Sequence, residues 1–472
     1  MCVRIRRVLS RILLLIPLLA AGPSTAQPTT KQRETDSKWI RLRAAHLEIL
    51  SDAGERSARQ ALQRLEEVRQ VIPAGESRGP LDLRVFIFAS ERDYRAYAPT
   101  PASGGFYQSG FEHDYIVTHA GDELDRAVVH EYVHFVLGQQ NASLPAWFEE
   151  GMAEFYSNLE ISRNRLRAGA AIEEHRALLN RARWLDAAAL RFPPAKDQGL
   201  YYAQSWALVH MLNLDAAYRD GMPRFVELMA GGAASDTTIF EQAFGPSLER
   251  ALTDLRAYVP RMRDSVLQAP PLDPLSKASL ERLSAVDAQL LRAELALRVA
   301  KPLLAAELYR QAARDYPNNS AAAAGLGALA SAQGRTEEAR AQLERAVRLD
   351  PGNASAWFES AMLEQEAGAG VARVQELLEK TVAANPNFGE AHALLGIRAT
   401  DEGRYDVAVK HLEQAARLLP RKSYVWHALA FAQEKSGQLP AAVAAARRAV
   451  RTAVTPEQAA MAESLFQRVA LQ

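Results

Sequence analysis

The sequence predicts two structural classes in one chain: an α+β domain with a small mixed sheet and helices, followed by an all-α superhelical solenoid of repeats. Three observations lead to this prediction. Strand-like apolar stretches alternate with a helical pattern early in the chain, and further helical patterns follow them. Residues 266–275 hold three prolines, as is typical of a domain boundary. Beyond residue 280, proline and glycine recur at a fixed interval.

The composition argues against nucleic acid as a partner. The 472 residues include 56 Lys and Arg and 56 Asp and Glu, so no net positive charge attracts phosphates. Hydrophobic residues make up 48% and charged residues 24%, as in ordinary globular domains. A chain of this length is expected to divide its core among several domains.

The N-terminus has the order of a secretory signal. Four arginines precede the apolar run Ile12–Ala21, and the small residues Ser24 and Ala26 follow at positions suited to cleavage. The run is about half of the roughly 20 residues that span a bilayer, so we expect no stable membrane span after cleavage. An uncleaved anchor is the alternative. Residues 1–26 are therefore predicted to be a signal peptide, which implies a periplasmic or secreted protein.

The only cysteine, Cys2, lies inside the signal, so the mature chain has no disulfide to form. The segments after the signal are predicted from their composition and hydrophobic periodicity. Residues 27–38 are polar and predict a flexible leader. The folded domain is predicted over residues 39–265, and a Pro-rich linker over 266–280. The predicted strands cover residues 46–50, 81–89 and 106–118; the predicted helices cover 55–71, 122–138, 145–159 and 200–214, with short helices within 219–265.

The repeats account for residues 281–472. Prolines and glycines recur at intervals of 34, 35 and 34 residues; they are Pro317, Pro351, Pro386 and Pro420, and Gly334, Gly368, Gly403 and Gly437. Each glycine falls where two helices would turn, and each proline falls between units. This interval, with glycine at the turns and proline between the units, is typical of tetratricopeptide repeats. We expect about four to five units. One helical pair cannot bury its apolar face alone, so the units must stack.

A candidate metal site begins at the segment HEYVH, residues 130–134. Residues four apart lie on one face of a helix, so His130 and His134 can reach one metal ion, with Glu131 beside them. A second segment, residues 144–155, predicts a helix that follows after a short loop. A hydrolytic zinc site takes three protein ligands and one open position, and Glu149, Glu150 and Glu154 are the candidate third ligands.

Together, HEYVH and WFEEGMAEF resemble the gluzincin group of metallopeptidases, in particular the peptidase-MA-like domains. The resemblance covers roughly residues 39–265 and implies a zincin-like fold. It implies that Glu150, directly before the glycine, is the third zinc ligand and that Glu154 orients a ligand histidine from behind. On spacing alone, Glu154 competes for the role of ligand. Glu131 is then the general base of peptide hydrolysis, with one Zn²⁺ bound per chain.

Residues 200–211 are similar to the same domains. The resemblance implies that Tyr202 approaches the metal and donates a hydrogen bond to an oxyanion, whereas simple packing beside the helix is the alternative. Tyr201 is the less favoured neighbour. The sequence therefore predicts an exported zinc-dependent peptidase that hydrolyses a polypeptide substrate and binds a protein partner through the repeat groove. The alternative is a repeat scaffold that carries an inactive or structural zincin remnant, and the completeness of the site favours the enzyme.

Overall fold

The computed structural model describes residues 37–45, 47–72, 83–100, 104–109, 113–139, 144–162, 165–191, 196–231, 236–263, 265–268, 277–420, 422–453 and 456–471. The predicted signal peptide, most of the predicted leader and the middle of the predicted linker lie outside these residues. Within the described residues, no helix combines the length and the apolar character that a membrane crossing requires.

The N-terminal region combines short strands with helices. Its strands are β1 (Ile40–Arg43), β2 (Leu47–Ser51), β3 (Leu83–Phe88), β4 (Gly105–Gln108), β5 (Asp114–His119), β6 (Glu160–Ser162), β7 (Arg165–Ala168), β8 (Ser265–Gln268) and β9 (Ser279–Arg282). Its helices are α1 (Gly54–Val71), α2 (Glu91–Arg95), α3 (Leu124–Gln139), α4 (Ala146–Ser157), α5 (Glu173–Arg181), α6 (Ala187–Leu190), α7 (Gln198–Leu214), α8 (Met222–Gly231), α9 (Asp236–Phe244) and α10 (Leu248–Tyr258).

Six strands form one mixed sheet in the order β4-β5-β3-β2-β1-β9. Strands β2, β3 and β5 run parallel to one another, whereas β4, β1 and β9 are antiparallel to their neighbours. The single strand predicted over residues 106–118 is instead two antiparallel strands, β4 and β5. Strand β4 lies at one edge of the sheet, where no described strand pairs with its outer side.

The two faces of this sheet bury different sets of side chains. On one face, aliphatic residues such as Ile49 and Val85 pack against α1 and α3. On the other face, aromatic residues including Trp39, Phe86 and Tyr115 are buried against α2 and against the first repeat helices. The sheet is therefore covered by helices on both sides, and its aromatic layer joins the N-terminal region to the repeats.

Two strands extend beyond the predicted end of the first domain. Strand β8 pairs with β7 in a second, three-stranded sheet of order β6-β7-β8, and β9 pairs with β1 in the main sheet. The N-terminal sheets therefore include residues on both sides of the predicted linker over residues 266–280. Strands β6 and β7 and helices α5 and α6 lie in the stretch between residues 159 and 198, for which the sequence predicts no element.

Helix α7 runs through the middle of the helical layer and is buried along most of its length. It crosses α4 at Gly151, where an added Cβ atom would lie 2.5 Å from the Ser205 carbonyl oxygen and 2.5 Å from Val209 Cγ2. Only glycine permits an approach this close, since a Cβ atom essentially never makes such contacts. The glycine directly after Glu150 therefore fixes how closely α4 lies to α7.

The C-terminal region is a stack of helical pairs with one closing helix. The helices are α11 (Ala285–Arg298), α12 (Pro302–Asp315), α13 (Ser320–Ala332), α14 (Thr336–Leu349), α15 (Ala354–Glu366), α16 (Val371–Ala384), α17 (Gly389–Asp401), α18 (Tyr405–Leu418), α19 (Ser423–Lys435), α20 (Leu439–Arg451) and α21 (Pro456–Ala470). Each helix packs against the next in sequence, which is the arrangement of a tetratricopeptide-like solenoid.

The periodic glycines end the first helix of successive pairs. All four have a left-handed backbone, with φ between 71° and 78°. After Gly334, the N–H of Arg335 donates to the carbonyl of Ala330, and the same six-residue bond recurs after the other three glycines. This pattern satisfies carbonyl groups at a helix end and requires a residue that tolerates positive φ. The glycine spacing in the sequence therefore records the turn between paired helices.

The periodic prolines take part in a second repeated contact. The side chain six residues after the proline donates to the proline carbonyl in three successive units: Trp357 to Pro351 at 2.8 Å, His392 to Pro386 at 3.0 Å and Trp426 to Pro420 at 2.7 Å. Proline has no N–H to offer, and its carbonyl still needs a donor. The contact ties the inter-unit turn to the helix that follows it.

Candidate metal centre

Helix α3 presents two partly exposed histidines on one face and buries most of its apolar side chains. Val129, Tyr132 and Val133 are nearly inaccessible, whereas the side chains of His130 and His134 are each 18% exposed. The Nε2 atoms of the two imidazoles lie 3.2 Å apart. The four-residue spacing has thus placed both rings over one point, as expected for a helix.

Helix α4 brings Glu150 to the same point. Its Oε2 atom lies 3.6 Å from His130 Nε2 and 3.5 Å from His134 Nε2. Zinc bonds of about 2.0–2.1 Å at tetrahedral angles would separate such ligand atoms by about 3.3 Å. The three atoms form a triangle of nearly that size, and the three side chains are partly exposed to solvent. These residues fit a zinc ion.

Glu154 lies on the opposite side of His130. Its Oε1 atom lies 3.5 Å from His130 Nδ1, the ring nitrogen that faces away from Glu150. Its Oε2 atom accepts a hydrogen bond from Arg126 at 2.8 Å and lies 3.2 Å from His175 Nε2. A carboxylate in this place can orient the imidazole and raise its basicity as a ligand. The geometry therefore favours Glu150 over Glu154 as a third metal ligand, whereas the spacing in the sequence allowed either residue.

Glu131 lies under the edge strand. It is 8% exposed and accepts a hydrogen bond from the backbone N–H of Tyr107 in β4. Burial raises the pKa of Glu131, although the charges of His130 and His134 and the Tyr107 N–H act to lower it. A raised pKa brings a carboxylate nearer to the value that a general base needs at neutral pH.

The candidate ligands His130 and Glu150 shift each other's pKa in opposite directions. Burial acts to lower the pKa of His130, but the hydrogen bond to Glu150 and the neighbouring carboxylates raise it to about 9. Burial acts to raise the pKa of Glu150, but its hydrogen bonds from His130 and His134 lower it to about 2. An imidazole has to be neutral to bind a metal ion, so metal binding is expected to weaken in acid.

Both tyrosines of α7 lie near the cluster. Burial and the nearby carboxylates, Glu150 first among them, raise the pKa of Tyr202 to about 12. This phenol therefore stays protonated and able to donate a hydrogen bond. Tyr201 is fully buried, and its hydroxyl has no hydrogen-bond partner among the described residues. Tyr202 is partly buried and lies near enough to Glu150 to feel its charge, and its role as a hydrogen-bond donor stays a prediction.

Arg126 and His175 lie at the site although the sequence pattern assigned no role to either of them. Arg126 lies one helical turn before His130, and its guanidinium also reaches Ser157 at 3.4 Å. His175 comes from α5, which no periodicity predicted. The position of Arg126 at the spacing i−4 from His130 was a usable signal, whereas the contact of His175 arises only from tertiary packing.

Gln204 and His210 are structural. Gln204 is fully buried and bonds both the N–H and the carbonyl of Leu185, at 2.9 and 2.8 Å. His210 lies 2.9 Å from the Tyr258 hydroxyl and 3.0 Å from the Gly169 carbonyl. Through these hydrogen bonds, both side chains attach neighbouring segments of the chain to α7. Neither side chain is one of the three candidate ligands.

The comparisons with known proteins concern the repeats. Residues 300–365 match the family model of the tetratricopeptide repeat. No curated protein matches the chain. The family match and the stacked helical pairs assign tetratricopeptide-type repeats, a fold of protein-interaction scaffolds, to the C-terminal region.

Several solved structures resemble this chain in part. The MamA protein is 19% identical, with a TM-score of 0.28, and the match covers 35% of this chain and 91% of that one. YrrB, described as a tetratricopeptide protein with an unusual peptide-binding site, is 18% identical, with a TM-score of 0.30, over 38% of this chain and 91% of its own. The pilF protein of Pseudomonas aeruginosa is 16% identical, with a TM-score of 0.34, over 55% of this chain and 98% of its own.

Proposed function

We propose that this chain is an exported zinc-dependent peptidase with a zincin-like catalytic domain and a protein-binding repeat domain. The observation that carries the proposal is the triangle of His130, His134 and Glu150, with edges of 3.2, 3.5 and 3.6 Å and a buried carboxylate beside it. Zinc bound there would polarise a peptide carbonyl and make a water molecule acidic enough to attack it.

The protein side chains have separate roles in the proposed reaction. Glu131 accepts the proton of the attacking water and then delivers it to the leaving amine. Tyr202 donates a hydrogen bond to the oxygen on which negative charge develops. Glu154, held by Arg126 and His175, keeps the ring of His130 in orientation.

Strand β4 is the proposed place for the substrate main chain. Its outer edge carries no described strand, and the N–H of Tyr107 reaches Glu131. An extended peptide can add to a free sheet edge through main-chain hydrogen bonds, which recognise a polypeptide without demanding one sequence. A peptide lying there would pass directly over the proposed base.

The family match favours a second candidate function, that of a protein-binding scaffold with an inactive zincin remnant. That match lies wholly within the repeats and supports binding of a protein partner, while it leaves the N-terminal chemistry open. The complete set of ligand, base and supporting carboxylate is what favours the enzyme over the scaffold.

Metal removal distinguishes the two functions. We expect the chain without residues 1–26 to hold one zinc ion and to cleave an unfolded, fluorescently labelled protein. A chelator should abolish the cleavage, and added zinc should restore it. Binding of zinc with no cleavage of unfolded proteins would favour the scaffold, and no zinc at all would refute the metal site.

A further inference from the structure

A second cavity lies beside α7, one helical turn beyond Tyr202. Its volume is about 180 Å³, and no residue of the metal triangle lines it. Trp206 forms part of its wall, and the indole ring lies 5.6 Å from the ring of His175. The cavity therefore adjoins the side chains that support Glu154 while remaining separate from the proposed zinc ligands.

The indole of Trp206 points to a missing acceptor. Trp206 is fully buried, yet its Nε1–H has no hydrogen-bond partner among the described residues. A buried donor without a partner loses the hydrogen bond that it made to water, so proteins rarely leave one unsatisfied. The Trp206 side chain forms part of the cavity wall, so an acceptor atom held in the cavity is a candidate partner for this N–H.

The positive charge of the cavity comes from arginines. Arg167, Arg176 and Arg263 line it, and no acidic side chain does among the described residues. His210 also lines it, with Nε2 3.0 Å from the Gly169 carbonyl oxygen and Nδ1 2.9 Å from the Tyr258 hydroxyl. The lining therefore offers guanidinium groups and one indole N–H, and all of these are donors.

The salt bridges of two of these arginines are weak enough to be shared. Arg167 lies 3.1 Å from Glu160, whose side chain is 60% exposed, and Arg176 lies 3.2 Å from Glu173, whose side chain is 73% exposed. Exposed pairs of this kind contribute little because water competes for both partners. Each guanidinium has five N–H donors in a fork, so it can bind an anion while it keeps such a pair.

We propose that this cavity binds a small oxyanion, either a carboxylate or a phosphate-sized group, between the arginines and the Trp206 indole. The volume of about 180 Å³ is ample for such a group. The anion would come either from free solution or from the terminal carboxylate of a bound peptide. This proposal stands independently of the proposed peptidase activity, because its test measures binding alone.

The test is calorimetric titration of inorganic phosphate into the chain without residues 1–26, at constant ionic strength. We expect saturable binding at one site, weakened about tenfold or more in Arg176→Gln, which removes the charge. Trp206→Phe, which keeps a large ring and removes the N–H, should also weaken binding. Arg219→Gln, at a surface arginine 59% exposed, is the matched control and should bind as the wild type does.

Two further titrations identify the source of the anion. A short peptide with a free C-terminus and its amidated form are titrated in the presence and absence of phosphate. Binding of the free form alone, with competition by phosphate, would support a terminal carboxylate, whereas binding of phosphate alone would support a free oxyanion. The proposal is overturned if phosphate shows no saturable binding, or if Arg176→Gln binds phosphate as tightly as the Arg219→Gln control. If Trp206→Phe does not fold, the comparison of the two arginine variants still tests the proposal.

Discussion

Two carboxylates one helical turn apart on α4 have different surroundings and therefore different predicted roles. Glu150 faces the Nε2 atoms of both histidines, whereas Glu154 faces Nδ1 of His130 together with a guanidinium. A residue that supports a ligand typically contributes 10–100-fold in metal affinity, so a ligand itself should contribute more.

At the residue scale, exchange of neighbouring glutamates tests the ligand assignment. We expect Glu150→Gln to lower zinc affinity by about 100-fold or more, since the amide lacks the negative charge of the ligand. Glu149→Gln, one residue away on α4, should leave zinc affinity within a few-fold of the wild type. Competition with a fluorescent zinc chelator measures both. Equal losses in the two variants would contradict the assignment of Glu150.

The pH dependence of stability tests the environment of Glu154. Burial acts to raise its pKa, but the hydrogen bond with His175 and the charges of His130 and Arg126 lower it from 4.5 to about 2. Because the folded pKa is depressed, the ionised group stabilises the fold above pH 4.5, and that contribution is lost as pH falls toward 2.

Glu154→Gln should therefore lower the stability of the zinc-free protein by about 2–3 kcal/mol at neutral pH. It should also flatten the acid side of the pH profile, since the titrating group is gone. Thermal unfolding between pH 2.5 and 7 measures both effects. Glu55→Gln is the control, because that side chain is 49% exposed in an ion pair with Arg59. If the acid profiles of Glu154→Gln and wild type run parallel, ionised Glu154 does not stabilise the fold.

Much of the site could be predicted at the residue scale because helical spacing is local. The positions of His130, Glu131 and His134 on one helix follow from the sequence pattern. The choice of Glu150 needed a family resemblance, because sequence spacing alone does not fix the angle between two helices. His175 and the N–H of Tyr107 reach the site only through packing of distant segments, which no local pattern records.

At the scale of elements, the crossing of α4 over α7 determines where Glu150 lies. The close approach at Gly151 leaves no space for a side chain, because Ser205 and Val209 lie within 2.5 Å of the Cβ position. Any increase in the separation of these helices would move Glu150 relative to the histidines of α3. The glycine therefore has a structural role directly beside the proposed ligand.

Gly151→Ala should destabilise the protein by about 1–3 kcal/mol, because overpacking forces the two helices apart. The control is Gly199→Ala near the start of α7, where an added Cβ atom meets only Leu178 Cδ2 at 3.7 Å. Alanine there should be neutral or slightly stabilising, since it restricts the unfolded chain. Chemical denaturation compares the variants. A neutral Gly151→Ala would mean that α4 and α7 do not lie this close.

Helices in long periodic segments were predictable from the sequence, whereas the shortest strands were not. The repeat helices were predictable because Gly334 and its equivalents mark turns that require positive φ. Strands β6 and β7 are only three and four residues long, too short to show a pattern. The pairing of β1 with β9 joins Arg41 to Glu281, and no local signal predicts a contact between residues so far apart.

At the scale of the whole molecule, the N-terminal sheet and the repeats share one core. Aromatic residues of the sheet, among them Phe86 and Tyr115, are buried with Leu295 of α11 and Tyr309 of α12. Polar contacts cross the same boundary, since Glu294 accepts hydrogen bonds from Tyr115 at 2.7 Å and from Arg84 at 3.3 Å. The first helical pair therefore completes the N-terminal domain as well as beginning the solenoid.

Truncation tests this shared core. A chain of residues 27–276 lacks β9, α11 and α12, and we expect it to aggregate because the aromatic face of the sheet is exposed. A chain of residues 27–350 keeps the first two helical pairs and should be soluble and folded. Size-exclusion chromatography and circular dichroism compare the two. A stable, monomeric 27–276 chain would contradict the view that the repeats cover the sheet.

In the proposed enzyme, α3 and α4 hold a catalytic zinc ion and Glu131 is the general base. The most direct measurement compares zinc content and hydrolysis of an unfolded protein in the wild type and in Glu131→Gln. We expect both to hold one zinc ion, and the variant to cleave about 100- to 10,000-fold more slowly because the proton acceptor is gone. Equal cleavage by the variant would contradict the role of Glu131 as the base. Zinc-loaded wild type that cleaves nothing would contradict the proposed peptidase activity.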